Sequence, residues 1–130
     1  MSEFVLDASA LLALLNGEEG AELVYGCLPE AIISTVNLAE VVTRLAAIGM
    51  PEDEIRETLG ILGLVTVPLD EEQAYLIGLM VPRTKPLGLS LGDRACLALA
   101  GTRSATAVTA DRAWAKLPDQ GISIKLVRNE

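Results

Sequence analysis

The chain has 130 residues, enough for one domain with a sizeable core and too few to suggest two. Its 51% hydrophobic and 22% charged residues exclude disorder, and apolar stretches such as AYLIGLMV fall far short of the roughly 20 residues that a membrane-crossing helix needs. The net charge is -8, and there is no histidine, which removes the commonest general base and transition-metal ligand and leaves carboxylates, a metal or both for any catalysis.

In chain order, a strand is expected at Glu3 to Leu6, a helix from Ala8 to Leu15 and a second helix from about Glu19 to Cys27. A strand at Ala31 to Ser34 leads into a long helix from Val36 to Ile48, ended by Gly49. Pro51 opens the helix PEDEIRETLGIL, with acids in its first turn, and a strand at Leu64 to Val67 follows. Asp70 caps DEEQAYLIGLMV, and PRTKPLGL from Pro82 reads as a loop carrying two prolines and two bases. Ser90 begins a helix to about Arg103, Thr106 to Val108 form a strand, a short helix holds Ala113 to Ala115, and Ile122 to Leu126 make the last strand. Strands alternating with helices imply an α/β fold: one domain with a central parallel sheet of about five strands and helices on both faces. With only four aromatics, the core falls to Leu, Val, Ile and Ala, which suits a buried parallel sheet.

Cys27 and Cys96 are too far apart to read as a metal or redox motif, and Cys96 lies within the apolar ACLALA; both are expected to be buried, reduced thiols. The ALLALL run does not read as an export leader, since Glu3 and Asp7 precede it without a basic segment. A soluble cytoplasmic protein with no membrane partner is expected. Charge is unevenly spread: residues 1 to 82 carry fourteen acids against Arg44 and Arg56, whereas residues 83 to 130 carry eight bases against four acids. Arg94, Arg112, Arg83, Lys85 and Lys116 could therefore surround a carboxylate centre with phosphate-binding charge, or simply form solvated helix faces.

Four apolar runs lead into an acid at or near a helix start: FVLD at Asp7, IISTVNLAE at Glu40, LGLSLGD at Asp93 and TAVTAD at Asp111. Parallel strands share a carboxyl edge, where open α/β sheets bind ligands, so these acids are expected to converge. Each also has a local explanation. Asp7 could cap the first helix, Asn37 with Glu40 and Ser90 with Asp93 have capping-box spacing, and Asp111 could sit in a first helical turn. Caps can be neutral, however, and four acids on one edge repel one another unless a cation neutralises them. With oxygen donors alone, the expected ion is hard: Mg2+ or Mn2+.

The order of VLDASALLALL, NLAE, LSLGDRACLALA and TADRAW resembles the PIN-domain nucleases, particularly the small VapC-type toxins of toxin-antitoxin pairs, along essentially the whole chain. The resemblance implies metal-binding catalytic acids at Asp7, Glu40, Asp93 and Asp111, a supporting hydroxyl at Thr109, and weaker counterparts at Ser9 and Asn37. It further implies hydrolysis of RNA phosphodiester bonds by one or two divalent ions, leaving a 5'-phosphate and a 3'-hydroxyl, together with a homodimer and a cognate antitoxin protein. Arg94 and Arg112 are candidates for holding phosphates, or for surface salt bridges.

Other readings use some of the same residues. A receiver-like Mg2+-binding signalling domain would take Asp70 and Lys125, but resembles a pattern with paired acids after the first strand, where Asp7 stands alone. A haloacid-dehalogenase-like phosphatase would need an Asp where Ser9 stands, and a catalytically inactive interaction subunit would keep the acids as caps. The mean hydropathy of +0.42 and the apolar residues of the helices at 52 to 62 and 71 to 81 suggest that some surface is shared in a dimer.

Overall fold

The structure is a computed structural model that describes residues 3–118 and 121–128. Five parallel strands, β1 (Phe4–Leu6), β2 (Ala31–Ser34), β3 (Val65–Val67), β4 (Thr106–Thr109) and β5 (Ser123–Leu126), form one sheet in the order β3-β2-β1-β4-β5. The helices are α1 (Ala8–Leu15), α2 (Ala21–Cys27), α3 (Thr35–Ala47), α4 (Glu52–Ile61), α5 (Glu71–Leu79), α6 (Val81–Thr84) and α7 (Leu91–Arg103). From β1 the chain winds outward through β2 and β3, then returns to build β4 and β5 on the other side. The order in which strands are added reverses between β1 and β4, the position where doubly wound sheets open a crevice.

The three central strands are buried on both faces because their side chains alternate between two apolar layers. Val5, Ile32 and Ala107 pack with α7 residues Ala95 to Ala100, while Leu6 and Val108 pack with Ala10, Ala13 and Val24. A third cluster joins Leu11 and Ile33 to Val41, Leu45 and Ile55. Cys27 and Cys96 are buried and free, and burial pushes both thiols up in pKa.

Several element boundaries differ from expectation for local reasons. Gly20 has φ +98 and packs so closely on Val127 that a Cβ would lie 2.5 Å from its carbonyl oxygen, so α2 starts at Ala21 rather than Glu19. Residues 82 to 89 are not the expected loop: α6 and a 3-10 turn at Lys85–Leu87 fill most of it. Pro82 and Pro86 stand in the first turn of each, where a missing N–H is harmless. The helix expected at 113 to 115 is a 3-10 turn, Arg112–Lys116. No described helix is long and apolar enough to cross a membrane.

Candidate metal centre at the sheet switch point

Asp7 follows β1 directly, and its backbone N–H donates to the Val108 carbonyl of β4 at 3.0 Å. Its side chain caps α1 as expected, with Oδ1 accepting from Ala10 N at 2.8 Å. Two hydroxyls also converge on it. Thr109 Oγ1 donates to Oδ2 at 2.6 Å and accepts from Asp111 N at 3.0 Å, while Ser9 Oγ donates to Asp7 at 2.8 Å and accepts from Ala110 N at 3.0 Å. Each hydroxyl has one proton, and each accepts a fixed backbone N–H, so both protons are aimed at the Asp7 carboxylate. The bridges also tie Asp7 to the β4 turn that carries Asp111, about a hundred residues further along the chain.

Asp7 is only 2% exposed, and burial raises its pKa from 3.8 to about 6. The hydrogen bonds from Thr109, Ala10 and Ser9 oppose that rise, and the negative charge of Asp93 adds to it. Glu40 is half-buried on α3; desolvation raises its pKa, the Asn37 amide opposes, and Asp93 again adds repulsion. The charges of Asp7, Asp93 and Glu40 are all felt at the buried Cys96 thiol one turn along α7. Three acids, after β1 and on α3 and α7, therefore share one electrostatic neighbourhood. Asp111 reaches the same sheet edge beyond β4 and is held near Asp7 through Thr109.

Two of the expected caps are different in detail. Ser90 and Asp93 do form a reciprocal capping box, with Ser90 N donating to Asp93 Oδ2 at 2.9 Å and Asp93 N to Ser90 Oγ at 3.2 Å. Asn37 and Glu40 do not: α3 begins one residue after β2 and is capped by Ser34, whose Oγ accepts from Val36 N. Asn37 is instead buried in the first turn, where Nδ2 donates to Glu40 Oε1 at 3.1 Å and to the Gly92 carbonyl at 3.0 Å. Asp111 is not within a helical turn but caps one, accepting from Ala113 N at 2.9 Å.

Gly92 was not expected at the site. A Cβ there would lie 2.5 Å from the Glu40 carboxyl carbon, so the carboxylate occupies the space that a side chain would fill. The only signal in the sequence is a glycine inside the first turn of a helix, where it weakens the helix relative to alanine.

The donors suit a hard divalent ion: oxygen only, a buried carboxylate with no ion pair, and a buried Asn37 Oδ1 with no partner among the described residues. Among the described residues no group of three or more Asp, Glu, Cys or His side chains lies close enough together to hold a metal ion by itself. The two candidate phosphate-binding arginines are both engaged. Arg94 is half-buried and donates from Nη1 to the Ile77 carbonyl at 2.9 Å, whereas Arg112 is exposed and pairs with Glu19 at 3.4 Å. Asp70, required by a receiver-like reading, caps α5 behind edge strand β3, with Oδ1 accepting from Gln73 N at 2.8 Å.

The family model of the PIN domain matches residues 4–120. No curated protein sequence is similar enough to match. Among solved structures, the chain resembles one from DNA-bound VapBC of Salmonella typhimurium, with a TM-score of 0.73 and 22% identity over 96% of this chain and 98% of that one. It also resembles chains from a toxin-antitoxin complex of Klebsiella pneumoniae (TM-score 0.70, 19% identity, 92% and 95% covered) and from VapBC-5 of Mycobacterium tuberculosis (0.58, 22%, 99% and 100%).

Proposed function

The chain belongs to the PIN-domain family, and from that premise we propose that it is a Mg2+- or Mn2+-dependent endoribonuclease, the toxin of a VapC-type toxin-antitoxin pair. The observation that carries this reading is Asp7: a carboxylate 2% exposed at the β1/β4 switch point, braced by two hydroxyls and repelled by Asp93, with no ion pair to any described Lys or Arg. A buried charge held in that way costs stability that a bound cation would recover.

Asp7, Glu40, Asp93 and Asp111 would hold the ion, directly or through water. When bound, it would supply an activated water near neutral pH and positive charge for the phosphate and the leaving oxygen. Ser9 and Thr109 fix the Asp7 carboxylate by donating to it, and Asn37 fixes one oxygen of Glu40. Arg112, exposed and next to Asp111 in the chain, would take a substrate phosphate in exchange for Glu19. Arg94 has a poorer claim to that role, since its guanidinium is partly committed to the Ile77 carbonyl.

The proposed partners are RNA, a cognate antitoxin whose Arg or Lys would pair with the acids, and a second copy of the chain. Similarity to chains from VapBC and other toxin-antitoxin complexes supports the antitoxin. For the dimer, Tyr75 and Leu79 lie one turn apart on α5 and are 62% and 70% exposed, while Ile77 and Met80 are buried in the monomer core. A cytoplasmic location goes with these partners.

The test is incubation of total cellular RNA with the protein in Mg2+, Mn2+ or EDTA, followed by sequencing of the new ends. Cleavage confined to the metal-containing reactions, with 5'-phosphate and 3'-hydroxyl ends, is the expected result. Equal cleavage in EDTA, or intact RNA with either metal, would overturn the assignment.

A further inference from the structure

We propose that Gly92 is a positioning residue for Glu40: its missing side chain leaves the recess in which the Glu40 carboxylate sits, and its carbonyl, through Asn37, holds that carboxylate beside Asp93. This rests on the metal-centre reading above and assigns to it a residue that carries no functional group. Gly92 lies at the second position of α7, is buried, and has an ordinary helical backbone, so no left-handed conformation demands glycine. What demands it is Glu40. A Cβ on residue 92 would come to 2.5 Å from both Cδ and Oε2 of Glu40, against the about 3.5–4.0 Å at which non-bonded carbons rest.

The same residue supplies the second half of the arrangement. Asn37 Nδ2 donates to the Gly92 carbonyl at 3.0 Å and to Glu40 Oε1 at 3.1 Å, so one amide bridges α3 to α7 and orients the acid at the same time. A methyl group at 92 therefore meets the end of a flexible side chain rather than rigid backbone. The fold can accommodate it by swinging Glu40 out of its recess, which moves the acid away from Asp7 and Asp93 while sparing the core. Alanine also favours the helix over glycine, so the substitution separates function from stability.

The experiment measures Mn2+ binding to the full chain by the electron paramagnetic resonance signal of free Mn2+, alongside melting temperatures in EDTA, for wild type, Gly92→Ala, Glu40→Ala and the double variant. Gly92→Ala is expected to weaken Mn2+ binding by about tenfold or more, with a melting temperature equal to or above wild type. In the Glu40→Ala background the same change should weaken Mn2+ no further, because there is nothing left to displace. Wild-type Mn2+ affinity in Gly92→Ala, alongside weakened binding in Glu40→Ala, would overturn the role of Gly92 alone. So would a drop in melting temperature that is the same with and without the Glu40 side chain, which would make Gly92 a packing residue. Unweakened binding in Glu40→Ala, or none in wild type, would instead refute the metal reading on which the proposal stands.

Discussion

Replacing Asp7 with Asn should stabilise the metal-free protein at neutral pH and destabilise it in acid. The folded pKa of Asp7, about 6, lies above the ordinary 3.8, so the folded protein binds the proton more tightly than the unfolded chain. Stability from this group is therefore fully present below about pH 4 and is lost as pH rises toward 6; above that, the buried charge costs about 3 kcal/mol at 1.36 kcal/mol per pH unit. Asn removes the charge but cannot accept both hydroxyl protons, and leaving the Thr109 or Ser9 donor short of an acceptor costs about 1–2 kcal/mol. The net expectation is a gain of about 1–2 kcal/mol for Asp7→Asn at pH 7.5 in EDTA, or roughly 4–8 °C in melting temperature, and a loss of about 1–2 kcal/mol at pH 4. Urea titrations of both proteins between pH 4 and 8 measure the difference, and groups common to the two proteins largely cancel. A difference that is flat across this range would refute the account of Asp7 as a charge buried at a cost. Millimolar Mn2+ should stabilise wild type by mass action and narrow or reverse the neutral-pH gap.

Asp93→Asn keeps an oxygen that can accept from Ser90 N in the capping box, so its stability should stay within about 0.5 kcal/mol of wild type while metal-dependent cleavage falls by about tenfold to 100-fold; Asp93→Asn with full activity on RNA would remove it from the catalytic set. Glu40→Gln and Asp111→Asn should lose activity in the same range, measured with the same substrate. Thr109→Val removes the 2.6 Å donor to Asp7 and the acceptor for Asp111 N, and should cost about 1–3 kcal/mol by urea titration as well as cleavage activity. Leu79→Glu should convert a dimer to a monomer in light scattering at tens of micromolar protein; it is a cleaner probe than Leu76, which packs against the core, and a wild type already monomeric would contradict a dimer built on α5.

The elements themselves were legible because their causes are local. Apolar periodicity, Gly49 after α3, Asp70 before α5 and the Ser90–Asp93 pair act over a few residues, and α1, β2 and the Ser90 cap stand where the sequence puts them. The acids were legible too, as a recurring step from apolar run to carboxylate. Where local signals competed, the neighbouring element decided: β2 runs straight into α3, so Ser34 takes the cap and Asn37 turns inward, and prolines that suggested a loop at 82 to 89 proved compatible with short helical turns.

The sequence by itself determined that strands and helices alternate, as a parallel sheet covered on both faces requires, and that Asp7, Glu40, Asp93 and Asp111 follow or flank the strands. Only the tertiary structure decided that β1 lies beside β4, which sets the Ser9 and Thr109 hydroxyls on opposite sides of a hundred-residue separation against one carboxylate. It alone decided that Glu18 and Glu19 take Arg128 and Arg112 as partners, and that the empty place at Gly92 receives the side chain of Glu40. Hydrogen bonds within a helical turn are written in neighbouring residues, whereas a recess or a brace between distant segments exists only after apolar burial has fixed how the helices lie on the sheet.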